Sequence, residues 1–372
     1  MKRMSIYKIT LVLSLLVSLV IVQSVWSQND DPLPRPIQLG TSGGNINDIN
    51  RLYCCGGTLG SLVQSNNVQY ILSNNHVLAK TNKGKIGEDI IQPGLIDQNP
   101  VCYQDSNDAV ADLSKFVPIS FRSGTTNKVD AAIAQIRIGA VDTSGSILDI
   151  GQVSSSTVVP AINVPVKKSG RTTGLSTGKI TAINATVKVI YNKTCGIGSQ
   201  TATFINQIMI GPAGFSAGGD SGSLIVEDCL PYPRAVGLLF AGSNTVTVAN
   251  PIIEVLSKLG ISMVGTNEYC TSGGTSGGVT GSSAMTAQSQ LPPYVNQKAI
   301  EAIKKVKERH EKTILQIEGV VGTGIGLSET VLGQVVIEVY VKKPLHEIRH
   351  LIPEALEGVP VKIIETGEIT AY

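Results

Sequence analysis

The chain has 372 residues, a formal net charge of +2, 16% charged residues and 39 glycines. So small a net charge gives no electrostatic reason to expect a nucleic acid or an anionic membrane as partner. The length is sufficient for two domains and a smaller one. The low-charge, turn-rich composition suits an extracellular β-protein better than a helical protein.

The first predicted element is an export signal at residues 1–27. Three basic residues precede a mostly apolar run of 14 residues, 9–22, and a small residue, Ser27, follows. A run of this length is short of the roughly 20 residues that span a bilayer. This favours a cleaved signal peptide over an uncleaved anchor. We therefore expect a secreted protein, extracellular or periplasmic, with no stable membrane anchor after cleavage.

Residues 37–264 consist of short runs of Val, Ile, Leu and Thr broken by Gly, Asn and Ser. Residues 68–72 and 133–138 are examples of such runs. Short strands repeated in this way are typical of an all-β sandwich or barrel. At residues 252–259 apolar side chains recur at helical spacing, which predicts a closing helix.

Three polar residues stand in short motifs within this region: His76 in residues 73–79, Asp130 in residues 129–134, and Ser221 in residues 218–223. A serine hydroxyl is a poor nucleophile unless a base lies within hydrogen-bond reach and a third group orients that base. His76 is the only histidine among the first 300 residues. It is therefore the only histidine base that the β region contains.

The motifs around these residues resemble those of the trypsin/chymotrypsin-like serine peptidases, and residues 37–264 carry the resemblance. Cys-Gly-Gly-Thr-Leu at 55–59 and Val-Gly-Leu-Leu-Phe-Ala-Gly at 236–242 are similar to strands of that family. Ser-Gly-Arg-Thr-Thr-Gly at 169–174 is similar to a hairpin of its bacterial secreted members. The resemblance implies two six-stranded antiparallel β-barrels of the chymotrypsin type.

The resemblance also implies a catalytic role for each residue of the triad. Ser221 would attack the scissile carbonyl, His76 would act as general base, and Asp130 would orient the imidazole. Asp108 and Asp112 are alternatives for the third role, and Asp130 is preferred on its flanking residues. An α/β-hydrolase is rejected, because its elbow needs Gly-x-Ser-x-Gly and its base follows the nucleophile.

The same resemblance assigns an oxyanion hole and a substrate-binding strand. The backbone N–H groups of Gly219 and Ser221 would bind the oxyanion, and residues 240–242 would pair with the substrate backbone. Phe215 stands where trypsin has Asp, which predicts a preference for small or apolar residues at the cleavage site. The substrate-binding residues are Phe215, Phe240, Ala241 and Gly242.

Activation by a newly freed N-terminus is not expected. Residues 35–37 offer no convincing cleavage site, because Pro36 follows Arg35. Asp220 therefore has no evident ammonium group to pair with. We expect the peptidase domain to fold directly into an active form.

Six cysteines, at positions 54, 55, 102, 195, 229 and 270, remain after export. Disulfides are expected in a secreted protein, and the 15 possible connectivities stay open. Cys54 and Cys55 are adjacent, so we expect them to point to opposite faces and to have different partners. With no Cys-x-x-Cys pair and only four histidines, we predict no metal site and no cofactor.

The composition changes after the β region. Residues 267–292 are rich in Gly, Ser and Thr, as in a flexible linker. Residues 293–372 then predict a small α+β domain. Its elements would be a helix at 298–315, strands at 320–327 and 335–341, a helix at 344–356 and a strand at 359–364. This domain would be a structural or docking module, or a cover that contacts the peptidase domain over its active site.

The combined prediction is a secreted serine endopeptidase that acts on polypeptides through His76, Asp130 and Ser221. The alternative is a protease-like barrel without catalysis, used for binding or adhesion, because a fold alone does not determine a function.

Overall fold

The computed structural model describes residues 29–270, 276–278 and 297–372. The predicted signal peptide, residues 1–27, lies outside the described residues, as does most of the predicted linker at 267–292.

Strands dominate the described chain up to residue 270. In chain order its elements are β1 (Thr41–Asn45), β2 (Gly57–Leu59), β3 (Ser61–Ser65), β4 (Val68–Ser73), α1 (Asn75–Leu78), β5 (Asp89–Ile91), β6 (Ala109–Phe116), β7 (Ala132–Ile136), β8 (Ser146–Ile147), β9 (Gly151–Gln152), β10 (Pro165–Gly170), β11 (Gly174–Thr194), β12 (Ile197–Gly211), β13 (Leu224–Glu227), β14 (Ala235–Gly242), β15 (Thr247–Pro251), α2 (Ile252–Leu259), β16 (Ser262–Met263) and β17 (Glu268–Cys270). The all-β prediction for this region is confirmed.

The strands form two main antiparallel sheets. The first is a curled half-barrel with the order β16-β3-β4-β7-β6-β5-β1-β2. In the second, β10, β13, β14, β15, β12 and β11 follow one another, and β10 pairs with β11 to close a six-stranded ring. This pair of sheets fits the chymotrypsin-like fold that the resemblance implied.

Helix α2 lies where the helical spacing predicted it and helps to join the two sheets. Its side chains Ile252, Val255 and Leu259 are buried in a cluster that also contains Leu72 of the first sheet and Leu238 of the second. Burial of side chains from both sheets in one cluster holds the sheets together.

Three disulfides join the six cysteines: Cys54–Cys102, Cys55–Cys195 and Cys229–Cys270. The adjacent Cys54 and Cys55 have different partners, as predicted. Cys195 lies in the turn between β11 and β12. Its bond to Cys55 therefore ties the second sheet to the segment just before β2.

The described residues after the linker contain α3 (Gln297–Ile314), β19 (Val320–Leu327), β20 (Val335–Val341), α4 (Leu345–Ile348), β21 (Ala355–Leu356), β22 (Val359–Glu365) and β23 (Thr370–Ala371), with β18 (Ser276–Gly278) before them. The helix predicted at 344–356 is shorter: α4 and a 3₁₀ turn end at residue 351, and Ile352 is extended. Pro353 explains the difference, because proline disfavours the helical conformation of the residue before it.

The sheet of the second barrel continues into these C-terminal strands. Beyond the ring, β11 pairs antiparallel with β19, and β20 and β22 follow. The buried Lys307 of α3 adds a hydrogen bond from Nζ to Thr186 Oγ1, at 3.3 Å. Strand β19 thus pairs with the edge of the long strand β11, and this pairing covers the edge.

Candidate active site

The first half of the site is built where β4 and β7 run side by side. His76 lies in the single turn of α1 that follows β4, and Asp130 comes just before β7. The His76 Nδ1 atom is 2.6 Å from Asp130 Oδ2, and the His76 backbone N–H donates to Oδ1 at 3.2 Å. The carboxylate therefore fixes both the ring and the backbone of the histidine.

The two alternative aspartates lie elsewhere and have other partners. Asp112 accepts hydrogen bonds from the Arg137 guanidinium, with Nη2 2.7 Å from Oδ1. Asp108 accepts from Gln98 Nε2 at 3.0 Å. Asp130 is the one of the three that the fold brings to His76.

The second sheet contributes two groups that hold Asp130. The Tyr191 hydroxyl, on β11, donates to Asp130 Oδ2 at 2.8 Å. The Asp130 backbone N–H donates to Asn250 Oδ1 at 3.0 Å. Burial, followed by the nearby charge of Asp130, holds the pKa of Tyr191 well above its usual range. The phenol therefore keeps its proton and remains a donor.

Tyr191 was not identified from the sequence. It lies 61 positions from Asp130 and outside the three short motifs, so no local pattern pointed to it.

The two ring nitrogens of His76 both face acceptors. Nδ1 faces the Asp130 carboxylate, and Nε2 lies 2.9 Å from the carbonyl oxygen of Tyr372. Two such contacts require a proton on each nitrogen, so the arrangement fits a charged imidazolium. Burial lowers the pKa of His76, but the charge of Asp130 and the hydrogen bonds to Asp130 and Tyr372 raise it, and the net shift is upwards.

The second half of the site is the loop before β13, which carries Ser221. Thr58 of β2 supports it, since the Thr58 backbone N–H donates to the Ser221 carbonyl at 2.8 Å and Thr58 Oγ1 donates to the Gly219 carbonyl at 3.0 Å. Gly219 has a φ of 100°, a conformation that favours glycine. Within residues 29–270 and 297–372, the N–H groups of Gly219 and Ser221 donate no hydrogen bond to another protein group.

Ser221 is fully buried, and its Oγ donates to the Phe240 carbonyl at 3.1 Å. No hydrogen bond joins Ser221 Oγ to His76 Nε2, although both residues are described. The nitrogen that would receive the serine proton is occupied by Tyr372 instead.

Asp220, the neighbour of the serine, has an internal cation as partner. Lys168 on β10 places Nζ 3.3 Å from Asp220 Oδ2, and neither side chain is exposed. The turn between β10 and β11 adds N–H donors from Thr172 and Thr173, at 2.9 and 3.1 Å. The sequence offered no evident ammonium group to pair with Asp220, and in the structure the Lys168 side chain supplies one.

Of the four predicted substrate-binding residues, Phe215 and Phe240 have buried rings, whereas Ala241 and Gly242 lie at the end of a strand. The Phe240 ring packs on Phe204 with centroids 4.8 Å apart, and Phe215 is buried in a second apolar cluster. Ala241 and Gly242 form the end of β14. What Phe240 presents to the cleft is its backbone carbonyl.

The end of the described chain lies in this cleft as β23. Ala371 is the antiparallel partner of Ala241, and Thr370 is the partner of Gly242. The Tyr372 backbone N–H reaches the Phe240 carbonyl at 3.4 Å. Nothing in the sequence motifs pointed to these residues.

Two groups in the described residues bring donor atoms within 4.8 Å of one another: Asp48 with Cys55 and Cys195, and Glu227 with Cys229 and Cys270. In each group the two cysteines form a disulfide. They therefore offer no thiolate to a metal. No helix among the described residues has the length and apolar character needed to cross a membrane.

Comparison with known proteins gives structural likeness only. No protein-family model matches the sequence, and no curated protein is significantly similar to it. Among solved structures, a glutamic acid-specific serine protease matches 61% of this chain and all of its own, at 20% identity and a TM-score of 0.41. Thermobifida fusca protease A (18%, TM-score 0.39) and Cellulomonas bogoriensis chymotrypsin (19%, TM-score 0.39) each match 62% of this chain and 98% and 99% of their own. The chain is similar in structure to bacterial chymotrypsin-like serine proteases.

Proposed function

We propose that the chain is a serine endopeptidase that hydrolyses peptide bonds through an acyl-enzyme on Ser221. The observation that carries the proposal is the buried contact of 2.6 Å between His76 Nδ1 and Asp130 Oδ2. The His76 backbone N–H, the Tyr191 hydroxyl and the Asn250 side chain also bond to Asp130, which is the support that a catalytic base needs to keep one orientation.

In the proposed reaction, Ser221 Oγ attacks the scissile carbonyl carbon while His76 Nε2 takes the hydroxyl proton. His76 then returns that proton to the leaving amine, and water cleaves the ester through the same base. Asp130 stabilises the imidazolium at each step, and the Tyr191 phenol keeps the carboxylate aligned with the ring.

The oxyanion would bind the backbone N–H groups of Gly219 and Ser221. Loss of one such donor typically costs about 10²–10³ in rate. The buried pair of Asp220 with Lys168 supports this assignment, because it fixes the residue between the two donors without a free N-terminus.

We also propose the predicted organisation of the mature protein: a peptidase domain at 37–264, a linker at 267–292 and an accessory domain at 293–372 that contacts the peptidase domain. Three disulfides support secretion, since such bonds persist in oxidising compartments.

The test is labelling with a fluorophosphonate, which reacts with an activated serine. We expect the label on Ser221 and none on a Ser221→Ala variant, whereas Ser144→Ala, a change at an exposed serine, labels like the parent protein. Equal melting temperatures would show that all three are folded.

One observation favours the alternative of a binding module without catalysis. Ser221 Oγ bonds to the Phe240 carbonyl and not to His76, and β23 lies in the cleft. A well-folded protein that stays unlabelled even after prolonged exposure, with and without residues 369–372, would support that alternative.

A further inference from the structure

We propose that residues 369–372 occupy the cleft as a substrate strand does, so that they inhibit the peptidase, and that the pocket around Tyr372 selects tyrosine before the scissile bond. This inference rests on the proposed peptidase function. It names the regulation and the substrate class of that same site.

The backbone of the segment is bound on both sides. On one side β23 pairs antiparallel with the end of β14, and on the other Thr370 is the parallel partner of Ile190 on β11. The Ile190 backbone N–H donates to the Ile369 carbonyl at 2.9 Å. Addition of a strand to a sheet edge is a general way to bind an extended peptide, so the same edge of β14 can receive a substrate.

The side chain of Tyr372 has a fitted pocket. Its ring packs against the apolar cluster that contains Phe215, and its hydroxyl donates to the Ser243 carbonyl at 2.9 Å. A Cβ at Gly242 would collide with the phenol, so the glycine makes room for it. Burial raises the pKa of Tyr372, which keeps the phenol a donor.

This pocket admits a larger residue than the sequence predicted. Phe215 contributes no charge to balance an arginine or a lysine, and a small side chain would leave both the apolar wall and the Ser243 carbonyl without contact. A site built to bond a hydroxyl discriminates strongly against analogues that lack it. Tyrosine is therefore the residue that fits both features.

The segment also engages the catalytic base. Its last carbonyl oxygen lies 2.9 Å from His76 Nε2, and a hydrogen bond to that oxygen requires a proton on Nε2. A protonated histidine cannot accept the proton of Ser221. Occupation of the cleft by this segment therefore blocks the substrate and removes the base at once.

The rest of the C-terminal region keeps the segment close to the cleft. Lys188 on β11 donates from Nζ to the Leu315 carbonyl at 2.7 Å, next to the pairing of β11 with β19. A segment tethered in this way competes at an effective concentration on the order of millimolar. It can leave the cleft while β19 stays paired.

The first experiment measures the rate of fluorophosphonate labelling in the full chain. We expect Tyr372→Ala to label at least about tenfold faster than the parent protein, because a tethered competitor at roughly millimolar concentration is weakened. Tyr103→Ala, an exposed tyrosine outside the cleft, is the matched control and should not change the rate. A chain shortened to end at Glu368 gives a second variant with the same expected gain.

The second experiment tests the pocket directly in the shortened chain. Peptide esters with the sequence Ile-Thr-Ala-X should be cleaved about tenfold or more faster for X = Tyr than for X = Ala or Arg, compared as kcat/KM. A preference for Arg or Ala would overturn the assignment of the pocket.

A third measurement separates the inference from the proposed function. The peptide of residues 368–372 should bind the shortened chain that also carries Ser221→Ala, as measured by calorimetry, and its Tyr372→Ala form should not. If every folded form stays unlabelled, the peptidase proposal fails, and peptide binding still decides the inference. If all forms label equally fast and the peptide does not bind, the inference fails and the peptidase stands.

Discussion

Two buried carboxylates, Asp130 and Asp220, organise the two sides of the cleft, and their charges are met in different ways. Among the residues that the structure describes, no lysine or arginine pairs with the Asp130 carboxylate: its partners are the ring and backbone N–H of His76 and the neutral Tyr191 phenol. Asp220 pairs with the ammonium of Lys168. Both side chains have no exposed surface.

The difference matches what each side has to do. In the proposed reaction, the charge of Asp130 must remain available to an imidazole that gains and loses a proton, and a second cation beside Asp130 would compete for that role. Asp220 has only to hold the loop of Gly219 and Ser221 in place, and the ammonium group of Lys168 serves that purpose. The comparison predicts different effects for substitutions on the two sides. A substitution beside Asp220 should lower the free energy of unfolding and abolish labelling of Ser221, whereas one beside Asp130 should slow that labelling.

The largest effect is expected from Lys168→Met, which leaves Asp220 buried without its cation. Removing one partner of a buried ion pair typically costs about 3–5 kcal/mol, so we expect the free energy of unfolding to fall by about that amount and labelling of Ser221 to be lost. Urea unfolding measures the first effect.

The control is Lys343→Met, which breaks the exposed pair with Glu318. Exposed pairs contribute little, and we expect no measurable change. If Lys168→Met is as stable as Lys343→Met, the buried pair does not organise the loop.

A smaller effect is expected from Tyr191→Phe, which removes one donor from Asp130 and keeps the ring. A hydrogen bond to a charged group is worth about 1.5–3 kcal/mol, so labelling of Ser221 should slow by roughly tenfold or more. The remaining carboxylate charge would act more strongly on His76, which should move the pH midpoint of labelling upwards.

The matched control is Tyr340→Phe. It removes a buried hydroxyl that donates to Glu338 at 2.9 Å, in the C-terminal region. A loss of stability without a change in labelling is expected there. If both tyrosine variants have the pH midpoint of the parent protein, Tyr191 does not position the triad.

Sequence motifs were sufficient to predict the strands and to select His76, Asp130 and Ser221 as candidate catalytic residues, because both inferences rest on local patterns. His76, Asp130 and Ser221 each stand among neighbours that identify them, and alternating or apolar runs mark the strands. The partners of these residues were not predictable in this way. Asp220 meets a lysine 52 positions earlier in the chain, and Asp130 meets a tyrosine 61 positions later.

Tyr372 is the extreme case, since 296 positions separate it from His76. No property of the short sequence Ile-Thr-Ala-Tyr, residues 369–372, predicts that it binds in a cleft. Only the path of the sheet from β11 through β19, β20 and β22 carries the end of the described chain back to β14. A pairing of this kind is a property of the fold rather than of a motif.

The smallest effect concerns the charge of His76. Because the Tyr372 carbonyl is one of the groups that raise the pKa of His76, the chain that ends at Glu368 should titrate His76 at a lower pH than the full chain. With four histidines in the sequence, NMR of the imidazole C–H groups can follow each one, and His76→Gln identifies its signal. Identical midpoints in the two chains would contradict the contact.

The sign of this shift links pH to the release of the segment. A pKa raised above 6.5 means that the stabilisation from the charged His76 is complete below pH 6.5 and is lost as the pH rises through the shifted pKa. Labelling of the full chain should therefore increase with pH more steeply than labelling of the shortened chain.

Asp48 also acts on His76, and burial raises the pKa of Asp48 to about 6. Asp48→Asn removes that second titration, and the difference in steepness between the two chains should persist in it, since the contact of His76 with Tyr372 remains.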